Sequence, residues 1–202
     1  MFIVIGISGR AGHGKDSCAT FIKQLLREKY SEYIFQCLNF ATKLKEIVKD
    51  MFFLSHDQVY DLEEKEKPLS RLGGFTPRKI LQEFGTDFGR SIWKDIWVRH
   101  YDEVLQELRH DYPDVLNTVV FTTDVRFKNE FEYLKSRKDF PVFLIRVVRP
   151  GFSIVENAHA SEIDLDGITD WDYTIVANNL DELLNKTEPM VIDILRKIHE
   201  EF

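Results

Sequence analysis

The sequence predicts an α/β fold, a three-layer α/β/α sandwich around a mostly parallel, five-stranded sheet. Three observations predict it. Five short runs are almost continuously apolar and rich in β-branched residues, as strands buried on both faces must be. Stretches with helical periodicity separate these runs, the alternation that produces parallel pairing. A glycine loop, an aspartate and an arginine fall just past the ends of three runs, where open parallel sheets bind ligands.

The first run, about residues 2–8, holds Ile3, Val4, Ile5 and Ile7. A helix follows to about residue 30, with Ala19, Phe21, Ile22, Leu25 and Leu26 on its apolar face. Tyr33 to Phe40 is the second strand. Residues from about 41 to 111 are mostly helical and mixed in charge, with turn signals at Lys67-Pro68 and Gly73-Gly74. Thr76-Pro77 opens one of these helices as an N-cap followed by proline at the first helical position. Val119-Val120-Phe121 is a buried strand ending at Thr122-Thr123-Asp124, and a helix covers about 127–137. Pro141 to Val148 and Tyr173 to Val176 complete the sheet. A closing amphipathic helix carries Leu180, Leu183, Leu184, Val191, Ile194, Leu195 and Ile198.

At 202 residues the chain is expected to form one domain. Its core would be about 1–40 and 112–202, with a helical lobe of about 41–111 inserted after strand two and a short lid at about 149–165. No apolar stretch approaches the eighteen residues of a membrane span, and the N-terminus has no basic region of a leader type. With 27 Lys and Arg against 34 Asp and Glu the net charge is −7, which argues against broad nucleic-acid binding. The two cysteines, Cys18 and Cys37, have no redox or metal spacing and are expected to be buried thiols. The six histidines form no zinc pattern. Together these features fit a reducing cytoplasm, a host's if the chain is viral. The oligomeric state stays open, a homodimer included.

The chemistry starts at Gly9-Arg10-Ala11-Gly12-His13-Gly14-Lys15-Asp16-Ser17. The spacing G-x-x-x-x-G-K between a strand and a helix is that of a phosphate-binding P-loop. Gly9, Gly12 and Gly14 let the backbone approach an anion. The loop amides and the helix N-terminus present partial positive charge, and Lys15 adds a full one. His13 is either a phosphate contact or a variable loop residue. Asp16 stands where the usual motif has Ser or Thr. It is either a magnesium ligand shared with Ser17 or a first-turn carboxylate favoured by the helix dipole.

Asp124, at the end of a buried strand, has the position of a carboxylate that holds a magnesium–water shell; it could also cap the next helix. Arg126 and Glu130 follow it. On the helix from Thr76, Arg78, Gln82, Gly85 and Thr86 share one face by α-helical spacing, with Lys79 and Arg90 nearby. Arginines there suit phosphate, and Gln82 suits a base edge. Trp93 and Trp97 could stack on a base or pack in the core. Arg149 ends strand four and could reach a phosphate once a lid closes, with His159 and Glu162 orienting that lid.

These residues resemble the deoxynucleoside monophosphate kinases of bacteriophage type, within the P-loop nucleoside monophosphate kinase-like fold. The resemblance covers nearly the whole chain. It rests on Gly9, Gly14-Lys15-Asp16-Ser17, Phe40-Ala41, Leu44-Lys45, Arg78-Lys79, Gln82, Gly85-Thr86, Trp97, Asp124-Val125-Arg126, Glu130, His159, Ser161-Glu162 and Asn178. It implies ATP and magnesium as cofactors and a deoxynucleoside monophosphate as acceptor. Lys45, the block from Arg78 to Arg90, and Trp97 would bind that acceptor. Asp124, Arg126 and Glu130 would lie near its phosphate and sugar, and Asn178 would border the donor adenine. Two other readings compete: a small-acceptor kinase of dephospho-coenzyme A or phosphomevalonate type, and a non-catalytic nucleotide switch. The block at Arg78 speaks against the first. The lack of a guanine-reading N-K-x-D speaks against the second.

Overall fold

A continuously apolar strand cannot leave either face in water, and the first such run, Phe2–Ser8, is buried along its whole length. The computed structural model describes residues 1–29, 33–111, 117–151 and 159–201. Its strands are β1 (Phe2–Ser8), β2 (Tyr33–Cys37), β3 (Asn117–Thr122), β4 (Val142–Val148) and β5 (Tyr173–Val176). Its helices are α1 (Lys15–Lys29), α2 (Thr42–Met51), α3 (His56–Tyr60), α4 (Pro77–Gln82), α5 (Arg90–Ile92), α6 (Ile96–Asp111), α7 (Lys128–Ser136), α8 (Ala160–Ile163) and α9 (Leu180–Glu201). The sheet order is β2-β3-β1-β4-β5, and every pairing is parallel. The fold is α/β with one five-stranded sheet flanked by helices, and the sheet expected to be mostly parallel is parallel throughout.

Internal contacts divide the chain into two compact units, Met1–Asn39 with Val104–Phe202, and Phe40–Glu103. In the first, all seven residues of β1 are buried. Ile3, Ile5 and Ile7 alternate onto one face, in a core with Cys18, Ala19 and Ile22 of α1 and Leu183, Val191 and Ile194 of α9. On the opposite face, a Cβ on Gly6 would meet Leu144 at 2.7 Å and Leu134 of α7 at 3.1 Å. The second strand is shorter than expected. The chain leaves it after Cys37, and that thiol is exposed, not buried. Cys18 is fully buried, and burial pushes its thiol up to about 12.

The second unit packs around Leu44, Val48, Leu54, Val59, Ile80 and Trp97. Ser55 caps α3 by accepting from the Gln58 amide at 3.2 Å, and Thr76 caps α4 by accepting from Lys79. The helix opened by Thr76 does not continue as a plain α-helix. It widens into a π-helix over Glu83–Gly89. Gly85 lies against Leu44, whose Cδ2 would be 2.6 Å from an added Cβ, and a Cβ added to Gly89 would be 2.8 Å from the Trp97 ring. The Trp97 indole N–H donates to the Gly85 carbonyl at 2.9 Å, a side-chain contact made within the widened turn, where insertions into the helical ladder distort it.

Among the described residues no helix is long and apolar enough to cross a membrane. Of the expected lid, residues 152–158 lie outside the described residues.

Candidate functional site

The glycine loop leaves β1 at Gly9, and its conformation explains its glycines. A Cβ on Gly9 would stand 2.6 Å from the Val147 carbonyl of β4. Gly12 and Gly14 have φ of 77° and 93°, which L side chains resist. Gly9→Ala is therefore expected to push the loop off β4 and lower activity about tenfold, since small misplacements of reacting groups are costly; steady-state kinetics on a variant with a native circular dichroism spectrum checks it.

Lys15 opens α1 and is buried, with 8% exposure. Its Nζ donates to the Arg10 carbonyl at 2.9 Å, folding the side chain back over the loop. Burial lowers its pKa from 10.5 to about 8. Arg126 adds to the fall, and Asp16, Glu162 and Asp124 oppose it. Asp16, Asp124 and Arg126 are thus each close enough to act on the charge of Lys15. Asp16 is exposed and Ser17 half-buried on the first turn of α1.

Two carboxylates from one short segment, Glu162 and Asp166, reach the loop. Glu162 on α8 accepts from the Ala11 amide at 3.0 Å and pairs with the Arg126 guanidinium. Burial alone would raise its pKa. Arg126, the Ala11 amide and Lys15 outweigh burial and hold the carboxyl below its ordinary range. Asp166 takes Arg10 at 2.6 Å and Arg146 at 3.1 Å, and Arg146 also donates to the Ser8 hydroxyl at 2.8 Å. Asp164 accepts from the Lys128 amide at the start of α7. That helix is not capped by Asp124. Glu130, 3% exposed, reaches back instead and accepts from the Arg126 and Phe127 amides at 2.8 and 3.1 Å.

His13 is buried against the end of β4. Its Nδ1 is 3.3 Å from the Val147 carbonyl and 3.4 Å from the Arg149 amide. Burial, Lys15, Arg10 and Arg146 lower its pKa against the opposing Val147 contact, with burial the largest cause. It braces the loop on the sheet. Arg149 is exposed just beyond β4. Asn178, just beyond β5, is exposed, and its backbone and side-chain amides both donate to Glu182 at 2.9 Å.

In the second unit, Arg78 pairs with Glu66, and Lys79 with Glu83 at 3.1 Å. Arg90 donates to the Lys94 carbonyl at 3.2 Å, and the Lys45 ammonium lies 4.8 Å from the centre of the Tyr60 ring. Gln82 and Thr86 are half-buried. The π-helix alters the face on which Gly85 and Thr86 follow Gln82, and the room at Gly85 is taken by Leu44. Trp97 is 6% exposed within the core, whereas Trp93 is 50% exposed.

No protein-family profile matches the chain. A protein of Acanthamoeba polyphaga mimivirus named "Putative deoxynucleotide monophosphate kinase" is 33% identical over 185 residues, 87% of this chain and 89% of that protein. The chain belongs to the deoxynucleotide monophosphate kinase family.

A kinase of nucleotides must gather cations where phosphate charge develops. Around the loop of this kinase stand Lys15, Arg10, Arg126 and Arg146, with Asp16, Asp124, Glu162 and Asp166 balancing them. Among the described residues no group of three or more His, Cys, Asp or Glu side chains could hold a metal by itself. Magnesium is ordinarily held by one or two carboxylates plus phosphate and water, and that donor set fits Asp16, Ser17 and Asp124. Arg10, Arg146 and Asp166 were not singled out from the sequence. Their pairing has no local signal, since Asp166 is 156 residues from Arg10 and 20 from Arg146 along the chain.

Proposed function

We propose that this kinase transfers the γ-phosphoryl group of ATP to the 5′-phosphate of a deoxynucleoside monophosphate, giving ADP and the deoxynucleoside diphosphate for dNTP supply. The observation that carries the reading is the buried Lys15 at the end of a glycine loop on a parallel sheet. The name of the viral relative supports the acceptor class.

The acceptor phosphate oxygen attacks the γ-phosphorus, and the bond to the β-phosphate oxygen breaks. No protein nucleophile is needed, so this chain's task is position and charge. The amides of Gly9 to Gly14 cradle the donor phosphates, with His13 bracing the loop, and Lys15 reaches the outer phosphates. Asp16, Ser17 and Asp124 hold magnesium, which when bound neutralises donor-phosphate charge. Arg126 and Arg149 neutralise the transferred group, the latter from a lid at about 149–165. Arg78, Lys79 and Arg90 grip the acceptor phosphate from a lobe of about 41–111. Gln82 and Thr86 read its nucleoside, with Lys45 beside them and Asp124, Arg126 and Glu130 near its phosphate and sugar. Trp97 and Gly85 shape that lobe from within, and Asn178 borders the adenine.

Coupled ADP release across the four deoxy- and four ribonucleoside monophosphates tests the reading. Release that depends on a deoxynucleotide is expected; ADP release indifferent to every acceptor overturns it. Asp16→Asn keeps a first-turn hydrogen-bonding group but loses the carboxylate. It should raise the magnesium concentration for half-maximal rate about tenfold; an unchanged magnesium titration would leave Asp16 a helix-dipole residue.

A further inference from the structure

We propose that Glu162 is an internal competitor for the phosphate site, holding in the nucleotide-free kinase donors that the incoming phosphates must take over. The inference rests on the nucleotide-site reading above and adds a residue that works against binding.

A carboxylate and a phosphate ask for the same partners, namely backbone amides and guanidinium forks. Glu162 already has one of each. One oxygen accepts from the Ala11 amide of the glycine loop at 3.0 Å, and the other pairs with Arg126. It also sits close enough to Lys15 to favour that side chain's charge. It therefore compensates three groups assigned above to phosphate. Its neighbours do other work. Asp164 caps α7, and Asp166 joins Arg10 to Arg146. Leu165, 3% exposed, anchors the segment in the core. Glu162 can thus release its partners while the segment stays docked.

The exchange follows from charge. A triphosphate brings more negative charge than one carboxylate, and the two anions repel at hydrogen-bonding distance. Binding proceeds as Glu162 withdraws, so part of the intrinsic affinity is spent on displacing it. In return, the free protein keeps a buried lysine and an arginine compensated and in place.

Glu162→Gln retains size and removes charge. It should bind inorganic tripolyphosphate and MgATP about tenfold more tightly than wild type by calorimetry, the size of one competing charged contact. Asp164→Asn removes the same charge from the same segment away from the loop and should change neither affinity more than about twofold. Glu162→Asp, with charge kept but one methylene withdrawn from Ala11, should also tighten binding and serves if the Gln variant does not fold. In wild type, tripolyphosphate should shift the Glu162 side-chain carboxyl carbon resonance. ATP bound by wild type but equally or more weakly by Glu162→Gln, or an unmoved Glu162 resonance, overturns this inference alone. ATP and tripolyphosphate bound by neither protein overturns the nucleotide-site reading with it.

Discussion

Lys15→Met is expected to lower kcat by about 10²–10⁴-fold, the range for removal of a charged transition-state contact, while making the nucleotide-free protein more stable. The second half follows from burial. Folding takes the ammonium out of water and lowers its pKa from 10.5 to about 8, which costs about 3 kcal/mol at neutral pH. Methionine keeps the aliphatic stem and loses one hydrogen bond to the Arg10 carbonyl, worth about 1 kcal/mol. The net gain of about 2 kcal/mol should raise the melting temperature by about 5 °C. The sign with pH is fixed. The unfolded lysine binds a proton that the folded one lacks between about pH 8 and 10.5. Wild-type stability therefore rises with pH there, and its deficit against the variant, complete below pH 8, closes across that window. Bound phosphate reverses the burden by restoring the charge, so ATP binding should take up protons near pH 8 and weaken above it. Thermal melts across pH and calorimetry in two buffers of different ionisation enthalpy check both parts. Near-normal activity in Lys15→Met would sink the kinase reading. A variant no more stable than wild type would show that Lys15 stays hydrated.

What the sequence made legible was local. The run from Ile3 to Ser17 dictates strand, loop and helix by short-range rules, and the residues from Phe2 to Lys29 adopt those elements. The parallel sheet was legible because its inner strands β1, β3 and β4 are almost continuously apolar and largely buried, although the edge strands β2 and β5 are covered less fully. The π-helix was not, because its cause is distant. Leu44 occupies the space at Gly85, and Trp97, twelve residues further on, binds its carbonyl. The same contacts bury Trp97, which spacing alone left as either core or stacking platform. Asp124 as a cap failed for a local reason that propensity does not carry: Glu130 reaches back to the same amides. Glu162 could be placed near a lid from its neighbours, but its contact with Ala11 spans 151 residues and exists only in the folded sheet. Charge pairing of this kind leaves little trace in periodicity, since any surface carboxylate fits the pattern equally well.

Arg78→Ala should weaken the deoxynucleotide acceptor by about 1.5–3 kcal/mol, the worth of hydrogen bonds to a charged group, and leave ATP affinity nearly unchanged. Arg78 is partly exposed and pairs with Glu66, the last residue of the short helical turn Glu64–Glu66 that follows α3. This exposed pair contributes little to stability, so truncation should move the melting temperature by no more than about 2 °C. The guanidinium is consequently available to exchange one carboxylate for a phosphate, which offers a better match to its fork. Gln82→Ala should behave differently. Its amide offers a donor and an acceptor, so its loss should change the ranking of bases more than the affinity for any one of them. Separate titrations of ATP and of each deoxynucleotide against both variants distinguish these outcomes. Equal weakening of donor and acceptor by Arg78→Ala would place α4 outside the acceptor site. The choice of a deoxynucleotide acceptor would then rest on the viral relative's name alone, since no other residue block separates this chain from kinases of other small phosphorylated acceptors.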